Sequence, residues 1–118
     1  MDHFRNPRNI GPLVNADVEG LAGVPFQGNF MKLQANLDGP IMTDVAFQCH
    51  GCGPTIAAGS MATTLLTGRS VYECGSLDEA TLDDALGGVP PHKHHSLELT
   101  IQAVKSLLSA AREAADRA

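Results

Sequence analysis

The sequence predicts an α+β fold: a three-stranded antiparallel sheet packed against helices. Three observations predict it. Apolar residues alternate with period two from Phe30 to Cys49, a Gly-Pro turn splits that stretch, and helical signals fill everything after Gly51. Strands first and helices second argue for one layer on another, with the helices on one face of the sheet. A chain of 118 residues is the length of one domain, taken as 1–118.

The segment from Asp2 to Asn6 suits a short helix that Pro7 ends, followed by a Gly/Pro/Asn loop through Asn15. A first strand is placed at about Gly20 to Phe26, beside the hairpin that follows. In the second strand Met31, Leu33, Ala35 and Leu37 share one face, with Lys32, Gln34 and Asn36 on the other. Asp38-Gly39-Pro40 is the turn. In the third strand Ile41, Thr43, Val45, Phe47 and Cys49 are expected on the core face.

Pro54 suits a first helical turn and Gly68 a stop, so a helix rich in small residues is placed over Thr55–Thr67. Ser70 with Glu73, and Thr81 with Asp84, have capping-box spacing; the second opens a short helix ending at Gly87-Gly88. Asp78-Glu79 and Asp83-Asp84 read as solvated helix starts that complement the dipole. In the last helix Leu97, Ile101, Val104, Leu108, Ala111 and Ala115 recur at alternating steps of four and three.

Eight basic residues against thirteen acidic ones give a net charge of −5, which speaks against binding nucleic acid through its backbone. Four Phe, one Tyr and no Trp leave little for base stacking. No apolar run approaches the roughly 20 residues that span a bilayer, and Met1–Arg5 lacks the apolar region of a signal peptide. A soluble, cytoplasmic protein with neither nucleic-acid nor membrane partner is expected. No Ser-His-Asp set, phosphate loop or paired carboxylates stand out, so no enzyme is expected.

Three cysteines, Cys49, Cys52 and Cys74, leave metal binding, thiol chemistry and packing open. Cys52 sits between two glycines just before a helix start, where the dipole favours the thiolate that binds metal or accepts sulfur. A small side chain filling a tight turn is the plainer reading. Cys49 and Cys52 form a C-x-x-C, but strand alternation turns Cys49 toward the core, and a zinc ribbon wants a second such pair. Cys74 reads as structural. His92, His94 and His95, with Lys93 between, form an imidazole cluster that either holds metal or is a solvated loop capping the last helix.

Four blocks in order then resemble one family. They are Asp2-His3-Phe4-Arg5-Asn6-Pro7-Arg8-Asn9-Ile10-Gly11, Gly28-Asn29-Phe30-Met31-Lys32-Leu33, the block Phe47 to Ser60 that matches F-x-x-x-G-C-G-x-x-I-A-x-x-S, and Val89-Pro90-Pro91-His92-Lys93. The whole chain is similar to the IscU/NifU N-terminal group of iron–sulfur cluster scaffold proteins, with the IscU/SufE-like fold this implies. The resemblance implies a site of three cysteines and an aspartate. Gln27, Asn29 and Ser96 stand at three of those positions here, while Cys52, His95 and Lys93 are retained. It also implies two partners: a cysteine desulfurase, and an Hsp70-type chaperone that reads Val89, Pro90, Pro91 and Lys93.

Clusters are held predominantly by thiolates, and Gln, Asn and neutral Ser are poor replacements for soft anionic donors. Three readings follow. In the first, the chain serves cluster assembly, either holding iron or a cluster through Cys52 and His95 with further donors among Gln27, Asn29, Ser96, His92 and His94, or relaying sulfur through Cys52. Sharing a cluster within a homodimer belongs to this reading. In the second, the fold persists as a partner-binding module without a cluster. In the third, Cys52 and the histidines hold a single Zn or Fe ion.

Overall fold

The computed structural model describes residue 3, residues 6–23 and residues 28–117. Strands β1 (Val18–Gly23), β2 (Phe30–Asp38) and β3 (Ile41–His50) form an antiparallel meander in the order β1-β2-β3. Helices α1 (Gly53–Leu66), α2 (Glu79–Ala85) and α3 (His95–Arg117) follow. Short 3-10 turns at Cys74–Ser76 and Pro91–Lys93 precede α2 and α3 respectively. The predicted α+β class and its three strands are what the chain adopts. The short N-terminal helix expected over Asp2–Asn6 falls largely outside the described residues, as does the end of the first strand at Phe26.

Alternation in β2 works as the sequence predicts: Met31, Leu33 and Ala35 are fully buried and pair across the core face with Cys49, Phe47 and Val45. One part of β3 departs from it. A register shift between Asn36 and Leu37 leaves Thr43 without a partner, so Met42 is buried opposite Leu37 and Thr43 faces solvent. The expected inward placement of Ile41 and Thr43 is thereby corrected, because one extra residue inverts the pleat on its far side.

The helices cover one face, and small residues set how closely they approach. Gly20 in β1 lies against the α3 backbone at Ala103 and Leu107, where a Cβ would collide. Gly59 in α1 does the same against the ring of Phe47, where an added Cβ would stand 2.5 Å from the ring. α3 buries Leu97, Ile101, Val104, Leu108 and Ala111 as the periodicity requires, together with Thr100, Ala103 and Leu107. Leu82 of α2 closes a second, smaller cluster with Ala58, Leu97 and Ile101.

Two capping assignments shift. α2 starts at Asp78, whose Oδ1 accepts the Thr81 N–H at 2.8 Å; that bond holds the Asp78 carboxyl below its ordinary value. Asp83 and Asp84 therefore fall in the last turn of α2 rather than its first, because Asp78 captures the Thr81 amide before Thr81 can cap. Ser70 opens a turn, its Oγ accepting from Tyr72 N–H at 3.2 Å, and the chain runs only into the Cys74–Ser76 turn.

The outer edge of β3 is covered at two places. Gly11 N–H donates to Phe47 O and Phe47 N–H to Asn9 O, both at 2.9 Å. Lower down, Met42 exchanges bonds with Gly68 and Arg69. The N-terminal segment is further held through Ser60 Oγ, which lies 2.7 Å from His3 Nδ1 and accepts from Arg8 N–H at 2.8 Å. No helix among the described residues is long and apolar enough to cross a membrane.

Candidate functional site around Cys52

β3 ends at His50, Gly51 bends the chain, and Cys52 takes the N-cap position of α1 with an extended backbone. Glycine is required at 51 because a Cβ there would lie 2.7 Å from Thr55 Oγ1. The Cys52 carbonyl accepts the first helical bonds from Thr55 and Ile56, at 3.0 and 3.2 Å. α3 begins at His95 on the other side of the sulfur. Two helix N-termini therefore converge on Cys52, and their partial positive charge favours an anion there.

The side chains complete that environment. Cys52 Sγ lies 3.5 Å from Thr55 Oγ1, 3.5 Å from Ser96 Oγ and 3.9 Å from His95 Nε2. Thr55 Oγ1 and Ser96 Oγ are 3.0 Å apart, and both residues are fully buried. Three groups thus form a closed triangle. As a thiol, Cys52 adds a third proton to the two hydroxyl protons and all three edges are bonded. As a thiolate, it receives hydroxyl protons directly and leaves one edge short. Partial burial pushes the Cys52 thiol up, but the bonds from Ser96, from Thr55 and from His95 outweigh it and bring the thiol down to about 6. At neutral pH the sulfur is mostly thiolate, half-buried and still open to a reactant.

The other candidates are placed as follows. His94 turns away from the sulfur: its Nε2 lies 2.8 Å from Val89 O and 3.9 Å from Asp83 Oδ1, and Asp83 Oδ1 also accepts the Val89 N–H at 2.6 Å. That clamp fixes the loop that delivers His95 and Ser96. His92 is exposed on the Pro91–Lys93 turn, and Lys93 is half-buried there. Asn29 is exposed just before the start of β2, and Gln27 lies outside the described residues. Cys74 is buried in its 3-10 turn, its thiol raised by that burial. Cys49 is half-buried, raised first by burial and then by the charge of Cys52, and it lines an open cavity of about 480 Å³ with Gly28, Phe30 and His50.

Beside the sulfur, Gly53, Pro54, Ala57, Leu86, Gly88, Val89 and Pro90 line an apolar groove of about 330 Å³. Among the described residues, no three of the His, Cys, Asp and Glu side chains come together as a metal site. The donor chemistry agrees, since the buried Ser96 hydroxyl is engaged with Thr55 and with Cys52 and the ring of His94 is engaged with Val89. One soft anion and one imidazole do not fit an iron–sulfur cluster held by a single copy of these residues. Thr55 was not among the expected site residues, although its place three positions after the helix-capping residue is where an N-cap partner sits.

A family model described as the NifU-like N terminal domain matches residues 1–115. The iron-sulfur cluster assembly scaffold protein IscU of Buchnera aphidicola subsp. Acyrthosiphon pisum is 37% identical over 113 residues, 92% of this chain and 88% of that protein. The iron-sulfur cluster assembly scaffold protein IscU 1 of Archaeoglobus fulgidus is 36% identical over 104 residues, 88% of this chain and 68% of its own length. The crystal structure of a nitrogen-fixing NifU-like protein (N-terminal) from Brucella abortus superposes with a TM-score of 0.74 at 16% identity, covering 100% of this chain and 92% of that one, and is similar in fold.

Proposed function

The chain belongs to the NifU-like N-terminal domain family, and from that premise we propose that it serves iron–sulfur cluster assembly as a sulfur relay, accepting sulfur on Cys52. The single observation that carries this reading is the Cys52 sulfur held by Ser96, Thr55 and His95 at two helix starts, ionised near neutral pH. A thiolate so placed suits attack on the outer sulfur of a persulfide presented by a cysteine desulfurase. The S–S bond of the donor breaks, a new one forms at Cys52, and the electron pair leaves on the donor cysteine. No external oxidant or reductant enters that step. His95, whose Nε2 lies 3.9 Å from the sulfur, then faces a persulfide anion as a donor, with Lys93 in the turn just ahead of it.

Iron or a cluster is cargo in this scheme, completed elsewhere or between two chains, since the described residues do not fit a cluster on one chain. The apolar groove at Val89 and Pro90 suits docking of a partner, with the desulfurase and an Hsp70-type chaperone as the partners the family points to. This groove favours a second reading, a partner-binding module that transfers no sulfur.

The test is incubation of the chain with a cysteine desulfurase and L-cysteine, with alkylation and mass mapping of each cysteine. Added sulfur at Cys52, absent from Cys52→Ser, supports the relay. Partner capture that survives Cys52→Ser, with no sulfur on the wild-type chain, supports the binding module and ends the relay.

A further inference from the structure

The C-x-x-C of Cys49 and Cys52 is left unused by the scheme above. We propose that Cys49 is the resolving thiol for sulfur carried on Cys52, releasing it as hydrosulfide while a Cys49–Cys52 disulfide closes. The inference rests on the sulfur-carrier reading and adds to it the fate of the sulfur.

Geometry brings the two residues to one place. Cys49 pairs across the sheet with Met31 and shares the face of Phe47, the face on which α1 is packed. Cys52 starts that helix. Only His50 and Gly51 intervene, and the bend at Gly51 is too tight for any side chain, which folds the end of β3 back against the first turn of α1. Three positions separate the two cysteines in the chain, and burial first, then the charge on Cys52, raises the Cys49 thiol. Neither is sealed: both cysteines are half-buried, and Cys49 lines the open 480 Å³ cavity with Gly28, Phe30 and His50. Cys74 lies elsewhere, buried in the turn ahead of α2 among Leu66, Val71 and the α3 side chains. The family block F-x-x-x-G-C-G leaves position 49 open, so this second thiol is a property of the chain itself.

The step balances. The Cys49 sulfur attacks the inner sulfur of the Cys52 persulfide, the bond to the outer sulfur breaks, and that sulfur leaves with the electron pair and a proton. Two thiol-level sulfurs are oxidised to the disulfide as one sulfane sulfur is reduced to hydrosulfide. A second turnover requires an external dithiol reductant to reopen the bond. A resolving pair of this kind matches a carrier that has lost the other cysteines of the family site, since sulfide is then delivered free rather than built into a resident cluster.

The experiment loads Cys52 of the full chain with inorganic polysulfide, removes the excess, and follows hydrosulfide and cysteine connectivity with time in wild type, Cys49→Ser and Cys74→Ser. Wild type and Cys74→Ser are expected to release about one hydrosulfide per persulfide and to gain a Cys49–Cys52 disulfide, while Cys49→Ser releases it at least about tenfold more slowly. A wild-type persulfide as long-lived as that of Cys49→Ser overturns this inference and leaves the carrier reading standing. Failure of Cys52 to take up sulfur in any of the three proteins overturns both. Retained helical circular dichroism in Cys49→Ser shows that any difference comes from the thiol and not from unfolding.

Discussion

The Ser96 hydroxyl lies 3.5 Å from the Cys52 sulfur although 44 positions separate them in the chain. α3 supplies the hydroxyl and the start of α1 supplies the sulfur, so the contact exists only when both helices are packed on the sheet. The reactivity of Cys52 is therefore a property of the assembled fold.

Removing the hydroxyl raises the thiol. Ser96→Ala deletes a donor to the anion that helps bring the thiol down to about 6, and the midpoint of Cys52 alkylation by iodoacetamide is expected to move up by roughly one unit relative to wild type. Thr55→Val is expected to act in the same direction. An unchanged alkylation profile in both variants shows that the triangle does not set the ionisation.

Stability inherits a pH dependence of definite sign. The Cys52 value is lowered on folding, from 9.0 to about 6. Its contribution is thus present in full above pH 9 and lost as the pH falls through 6. Partial exposure reduces the size of the effect but not its direction. In urea titrations the wild type is expected to gain on Cys52→Ser between pH 6 and pH 9, and a gap that narrows over that interval contradicts the assignment.

Restoring a thiol at 96 should restore metal chemistry. Under reducing, anaerobic conditions Ser96→Cys places a second thiolate beside Cys52 and His95, giving three donors of the kind that open zinc sites use. Zn²⁺ is expected to bind at least about tenfold tighter than to wild type, read by competition with a chromophoric chelator. Equal affinities show that the two sulfurs do not reach a common ion.

The clamp on the loop before α3 has its own signature. Asp83 Oδ1 holds the Val89 N–H at 2.6 Å, and His94 holds the Val89 carbonyl at 2.8 Å. Asp83→Ala is expected to speed hydrogen exchange at Val89 by about fivefold, since one net hydrogen bond is worth about 1 kcal/mol. Exchange as slow as in the wild type shows that the loop is held from elsewhere.

Gly20 fixes the spacing of α3 on β1. Gly20→Ala drives a methyl into the backbone at Ala103 and Leu107, which cannot swing aside as a side chain can. A loss of roughly 2–3 kcal/mol is expected, on the order of ten degrees in Tm. Unchanged thermal unfolding disproves the close approach.

The sheet and the last helix were legible in the sequence because period two and period 3.6 leave plain traces in apolar spacing. Met31, Leu33, Ala35 and Phe47 announce one face, as Leu97, Ile101, Val104 and Leu108 announce another. The inversion at Thr43 was not legible, because a bulge is fixed by pairing with β2 and leaves no period of its own. Asp78 was passed over as a cap since Thr81 offers the same spacing three residues later. At the site, Cys52 and His95 were visible as residue types. The hydroxyl triangle was not, because Thr55 and Ser96 meet only through the packing of two helices. Ser96, which the resemblance sets at a ligand position, is in the fold a buried hydrogen-bonding partner to the Cys52 sulfur.

Covering β3 also limits what the sheet can join. Asn9 and Gly11 occupy one stretch of its outer rim, and Gly68 and Arg69 occupy another. An incoming strand, from a client or from a neighbouring copy, finds those positions taken. The opposite rim is short, is broken by Gly20 and Gly23, and has the Leu21 N–H already bonded to Ser106. Fibril-like stacking is thereby hindered on both sides, and the loops at the ends of the sheet, not its rims, are left as the places where another chain can join.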